Sequence, residues 1–74
     1  MTWIKKAAGQ YVSDDGRYEI NSSWSRTYGK HWELIDKEAK ARFLNEPDTN
    51  VWLARQKATR RRKTLAECKA LVTY

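Results

Sequence analysis

Gln10-Tyr11-Val12-Ser13-Asp14-Asp15-Gly16-Arg17-Tyr18-Glu19-Ile20-Asn21 is the stretch that decides the fold. Two β-prone runs flank Asp15-Gly16. Asp-Gly between such runs is the strongest short-range hairpin signal, because a type I′ turn needs positive φ at both central residues. Tyr18 and Ile20 alternate with Arg17, Glu19 and Asn21. That period of two places the ring and the aliphatic side chain on one face of a strand. Beyond it, Ser22 to Lys30 reads as a turn-rich connector punctuated by Gly29, and His31-Trp32-Glu33-Leu34-Ile35 alternates again. The expectation is a three-stranded antiparallel meander, which needs one face covered to be stable.

The second half supplies the cover. Asp36 is placed to cap Lys37-Glu38-Ala39-Lys40-Ala41-Arg42-Phe43-Leu44, a run of good helix formers. Asn45-Glu46-Pro47 stops it, since proline disfavours helix in the residue before it. Asp48 is placed to cap a further segment starting Thr49-Asn50-Val51-Trp52. Thr64-Leu65-Ala66-Glu67 is a capping-box pattern: the Thr64 hydroxyl accepts from the Glu67 amide, and the Glu67 carboxylate reaches back to the Thr64 amide. Leu65, Cys68, Leu71 and Val72 recur behind it at helical spacing. Residues 49–72 admit two readings: a short helix, a basic loop and a capped terminal helix, or one long helix, since the stretch holds neither Gly nor Pro. The box would be idle inside a continuous helix, which favours the first. The expected class is α+β in a single domain over 1–74. A three-stranded antiparallel meander is followed by two helices, 36–45 and 64–73, the C-terminal one packed on the sheet.

A chain of 74 residues buries only about 60% of its unfolded surface, so the core is thin. Cys68 is the only cysteine, which removes disulfides as reinforcement and fits a reducing compartment. Aromatic mass takes their place, since each large ring buries about 150–250 Å². Homodimerisation is the other remedy for a thin core. Met1-Thr2-Trp3-Ile4-Lys5-Lys6 has no apolar signal core, and no run approaches the roughly 18 apolar residues of a membrane span. The expected location is cytoplasmic, with no membrane partner.

Most chemistry is argued against. His31 is the sole histidine, and it shows no ligand spacing with Cys68 or the carboxylates. Cys68 falls on an apolar stripe, where a free thiol packs as a small hydrophobe. Asp14 and Asp15 are explained by the turn, and Asp36 by its cap. There is no phosphate-binding loop, dinucleotide turn or nucleophile elbow. No catalytic residue, metal or cofactor is expected, and a binding role is favoured over an enzyme.

Charge is the sharpest feature. Residues 1–54 hold eight Lys/Arg and eight Asp/Glu, whereas residues 55–74 hold seven Lys/Arg against Glu67 alone. The whole net charge of +6 therefore sits in the last segment. Arg55, Lys57, Arg60, Arg61, Arg62 and Lys63 crowd into 55–63, just before the capped helix. Cations there oppose the helix dipole, by about 0.3–1 kcal/mol at low salt. Free amides at a helix start suit an anion, so the run and the helix start together suggest a phosphate-binding corner. An acidic protein surface would suit the same charges. Tyr11, Tyr18, Trp32 and Trp52 are expected to be largely structural. Trp24 and Tyr28, in the connector, are candidates for an exposed binding surface, and Trp52 joins them as a candidate partner anchor.

Gly9 to Ile20, Trp32 to Asp36 and Thr64-Leu65-Ala66-Glu67-Cys68-Lys69-Ala70 resemble small uncharacterised proteins of actinobacteria and their phages. There a strand–turn–strand–strand unit leads into a similar helix. The order of elements also resembles the three-stranded-sheet-plus-helix DNA-binding modules of the AP2 and integrase-arm type. The resemblance covers about a third of the chain, and residues 37–63 depart from it by their length. It implies a small phage-encoded regulator or accessory protein that binds DNA in a bacterial host. The alternative is an interaction module that inhibits or redirects a host protein.

Overall fold

The chain forms more sheet than its central stretch alone implies. In a computed structural model, residues 2–72 are described. The elements run β1 (Trp3–Ala7), β2 (Gln10–Ser13), β3 (Tyr18–Ser25), β4 (Gly29–Asp36), α1 (Lys37–Leu44), α2 (Val51–Lys57), β5 (Thr59–Arg62) and α3 (Leu65–Ala70). The strands form one sheet in the order β1-β2-β3-β4-β5, every neighbouring pair antiparallel.

The α+β class holds, but the three-stranded meander with two helices does not: five strands and three helices are present. β1 was not anticipated because Trp3-Ile4-Lys5-Lys6-Ala7 breaks alternation, and its register with β2 shifts between Lys5 and Ala7. Such a bulge is a common way to blunt a sheet edge. The connector over 22–30 is mostly strand, with only Arg26-Thr27-Tyr28 left as a turn. The basic loop is β5, so residues 49–72 fold as helix, strand and helix rather than as one long helix. The helix expected over 64–73 is α3, and residue 73 lies outside the described residues.

Turn chemistry differs in detail as well. At Asp15-Gly16 only Gly16 takes positive φ, at 75°, so the turn is not type I′. Asp15 uses its carboxylate instead, accepting from Ser13 Oγ (2.6 Å) and from the Arg17 amide (3.0 Å). Ser13 in turn accepts from the Tyr18 amide at 2.9 Å, which satisfies a side chain with 1% exposure. Gly9 is required twice over. Its φ is +74°, and a Cβ there would collide with Ser22 Oγ. Asn50, not Asp48, caps α2 by accepting from the Leu53 amide at 2.8 Å, while Asp48 takes a left-handed turn.

In an antiparallel pair, residues opposite each other point to the same side. The register therefore places Tyr18, Ile20, Leu34 and Trp32 on one face, with Tyr11 and Trp3 of the outer strands. α3 covers part of this face: Ile20, Leu34 and Cys68 form the core with Tyr18 and Val72, and Trp3, Tyr11, Trp32, Leu65 and Leu71 pack around them. Burial of an Ile or Leu side chain is worth about 1.5–3 kcal/mol, so a few such residues supply most of the drive in so small a chain. Ile35 points to the other face and is buried, as are Ala54 and Ala58 on and just after α2.

Asp36 joins sheet to helices. Its Oδ1 accepts from the Glu38 and Ala39 amides at 3.1 and 3.2 Å, capping α1, and its carboxylate takes a forked pair of bonds from Arg17 at 3.3 and 3.2 Å. Burial alone would raise its pKa. The Arg17 guanidinium and the two amides outweigh burial and hold the carboxyl below its usual range. A depressed folded-state pKa gives stability that is present above the unfolded value, near 4, and lost as pH falls through the folded value. Replacing Asp36 by Ala is expected to cost about 1–2 kcal/mol, the usual worth of an N-cap, read as a lower urea midpoint at pH 7. Asp36→Asn keeps much of the cap, so its stability should fall less steeply than wild type between pH 5 and pH 2. Parallel pH profiles for the two proteins would contradict this assignment.

Candidate nucleic-acid interface

β3 and β4 are longer than their neighbours. They pair from Tyr18↔Asp36 to Ser25↔Gly29, whereas β2 stops at Gln10↔Asn21 and β5 at Trp32↔Arg62. The outer end of the hairpin thus extends past both flanking strands as a two-stranded ribbon. A three-residue loop closes it, with Gly29 at φ +68° in the left-handed position such loops need. The Ser25 hydroxyl steadies the loop by accepting from the Tyr28 amide at 3.0 Å.

The two faces of this region differ in chemistry. One carries Gln10, Glu19, Asn21, Ser23, His31, Glu33 and Arg61, a polar set. Gln10 donates to Glu19 at 2.9 Å. Glu33 is shared: His31 Nε2 lies 3.1 Å and Arg61 Nε 3.5 Å from its Oε1. His31 Nδ1 meets the Gly29 carbonyl at 2.9 Å, so both ring nitrogens lie beside oxygen atoms. Arg61 also donates to Gln56 of α2 at 3.0 Å and lies 5.5 Å from the Tyr28 ring centroid. His31 is only 3% exposed beneath this cover.

The opposite face carries Ser22, Trp24, Lys30, Trp32, Arg60 and Arg62. No carboxylate lies among them. Asp36, on the same face at the far end of β4, is held by Arg17. Among the described residues, Lys30, Arg60, Arg62 and Lys63 make no ion pair, although one Arg62 Nη donates to the Arg61 carbonyl at 2.6 Å. Trp24 is 69% exposed, Trp32 is half-buried, and the Trp32 ring lies 6.2 Å from Tyr11 at a tilt of 54°.

The six cations singled out from sequence are therefore not brought together. Arg55 and Lys57 sit in the last turn of α2, where the helix dipole favours cations, and Lys57 pairs with Glu46 at 3.5 Å. Arg61 is spent on Glu33. Arg60 and Arg62 point to the open face, Arg60 at the mouth of a groove of about 390 Å³ that also meets Arg42 and Phe43. Lys63 is exposed just after β5. The basic run expected as a loop before α3 is instead a strand. That helix has six residues. Thr64 accepts from the Glu67 amide at 3.2 Å as anticipated, but the Glu67 carboxylate accepts from the Thr64 hydroxyl at 3.1 Å rather than from its amide.

The three aromatic anchors also separate. Tyr28, 62% exposed, leans edge-on toward His31, Trp24 stands on the open ribbon face, and Trp52 at the start of α2 is 67% exposed, against its expected structural role. Lys30 was missed because the connector was not read as strand. Alternation of Trp24 with Ser23 and Ser25, and of Lys30 with His31, was the available signal. Cys68 is fully buried, and burial pushes its thiol pKa up, the reverse of an activated nucleophile. Among the described residues no three His, Cys, Asp or Glu side chains converge as metal ligands would, and no helix is long and apolar enough to cross a membrane.

No family model, curated protein or solved structure matches the chain.

The division of the arginines predicts opposite behaviour for neighbours. Arg61→Ala leaves Glu33, with only 16% of its side chain exposed, without its guanidinium partner. It is expected to lower unfolding free energy by about 1–3 kcal/mol. Arg62→Ala, at an exposed position, should change it by less than about 0.5 kcal/mol. Urea titrations of both variants check this, and equal effects would contradict the division.

Proposed function

We propose that the protein binds nucleic acid through the open face of the β3–β4 ribbon and the adjoining edge of β5. One observation carries the reading: exposed aromatic surface and uncommitted cations share a face that holds no free carboxylate. Trp24 and Trp32 supply ring surface, and Lys30, Arg60 and Arg62 supply positive charge. Clustered Lys and Arg attract a phosphate backbone by counterion release, and aromatic rings add contacts to the bases. A second reading, a protein partner, is favoured by one separate feature. Val51 and Trp52 lie 62% and 67% exposed on α2, outside the ribbon.

The test is a fluorescence-anisotropy titration of an oligonucleotide hairpin carrying a single-stranded tail, repeated across salt. Neutralising three phosphates gives a slope of log K against log salt of about −2 to −3. A Lys30/Arg60/Arg62→Ala variant should lose most of that slope and bind at least tenfold more weakly. Absent binding at low salt, or a slope the variant retains, rules the reading out. Binding of a protein partner that Trp52→Ala abolishes would then favour the second.

A further inference from the structure

The two exposed-face tryptophans each stand directly across from a cation. Trp24 is the register partner of Lys30 between β3 and β4, and Trp32 is the register partner of Arg62 between β4 and β5. Cross-strand partners have Cβ atoms about 4.5–5.5 Å apart on one face. Each pair therefore sets a flat ring beside a positive charge. A nucleotide has the same two parts side by side, a planar base and a phosphate. The pair occurs twice, one register step apart, and Ser22, which is opposite Trp32 and next to Trp24 on the same face of β3, is small and exposed. Gly9, whose φ of +74° and contact with Ser22 exclude a side chain, borders it. Neither position puts a bulky side chain beside Trp24, and Trp32 is half-buried, with the Tyr11 ring 6.2 Å away on one side.

These cations are also not consumed by the rings beside them. Among the described residues, cation–ring contacts fall at Arg17–Tyr18, Lys57–Phe43, Arg61–Tyr28 and Lys69–Tyr11, so neither Trp24 nor Trp32 takes one. A duplex would make poor use of this arrangement. Its bases are stacked on one another and offer only their edges in the grooves, whereas an unpaired strand offers ring faces. We infer that the site is selective for single-stranded nucleic acid and holds two successive nucleotides. Trp24 with Lys30 takes one, and Trp32 with Arg62 takes the next. The inference rests on the nucleic-acid reading above and narrows it to a class of ligand and a subsite.

The experiment compares a mixed-sequence 12-nucleotide strand, as DNA and as RNA, with the same sequence as a DNA duplex, by anisotropy at one salt concentration. Wild type, Trp24→Ala, Trp24→Phe and Ser22→Leu are each checked for an unchanged thermal midpoint. The single strands should bind at least tenfold tighter than the duplex. Trp24→Ala should lose about tenfold on the strand, the usual scale for one stacked base, with little change on the duplex. Trp24→Phe should recover most of that loss, and Ser22→Leu should weaken the strand by obstructing the rings without altering charge. Duplex binding as tight as the strand, or a Trp24→Ala variant that binds the strand normally, overturns the inference while leaving the nucleic-acid reading intact. Failure to bind any of the three overturns both.

Discussion

The pairing of Arg61 with Glu33 across β4 and β5 decides what the basic segment can do. Side chains alternate along a strand, so a shift of one residue would send Arg60 and Arg62 to the other face and Arg61 onto the hydrophobic side. In the observed register Arg61 lies opposite Glu33, and Gln56 on α2 holds the same guanidinium from beyond the sheet. Three consecutive arginines thus acquire two roles. The middle one holds the sheet together, and its neighbours are left facing solvent beside Leu34 and Trp32. Because β5 is an edge strand made of Thr-Arg-Arg-Arg, the same charges discourage pairing with another sheet.

The rest of the architecture serves that division. α3 and the core of Ile20, Leu34 and Cys68 cover the half of the face nearest Asp36, and leave the outer end of the β3–β4 ribbon open. Asp36 fastens the covered end by capping α1 and accepting from Arg17. At the open end backbone pairing and the Gly29 turn hold the ribbon, and Trp24 and Lys30 are exposed on its open face. The polar cluster of His31, Glu33 and Arg61 stiffens the reverse side.

Much of the central sheet was legible in the sequence, because Tyr18, Ile20, Trp32 and Leu34 alternate cleanly and Asp36 precedes a run of good helix formers. The flanks were not. β1 contains a bulge that breaks the period of two, and Thr59-Arg60-Arg61-Arg62 carries no hydrophobic signal, since its pairing depends on Glu33 far away in the chain. The same long-range contact made the six cations look like one patch when they are three groups. Trp24 and Tyr28 were legible as exposed residues, but not the faces they occupy, because a serine-rich stretch reads as connector until its partner strand is known. Lys30 was hidden for the same reason.

The central claim is that ligand meets the ribbon face, and the chain carries a reporter for it in its four tryptophans. The indole N–H resonances of an isotope-labelled sample, assigned by single Trp→Phe variants, are followed while a 12-nucleotide single strand is added. The account predicts large shifts for Trp24 and Trp32, with Trp3 and Trp52 nearly unmoved. Shifts confined to Trp52, or no shifts at saturating oligonucleotide, would contradict it.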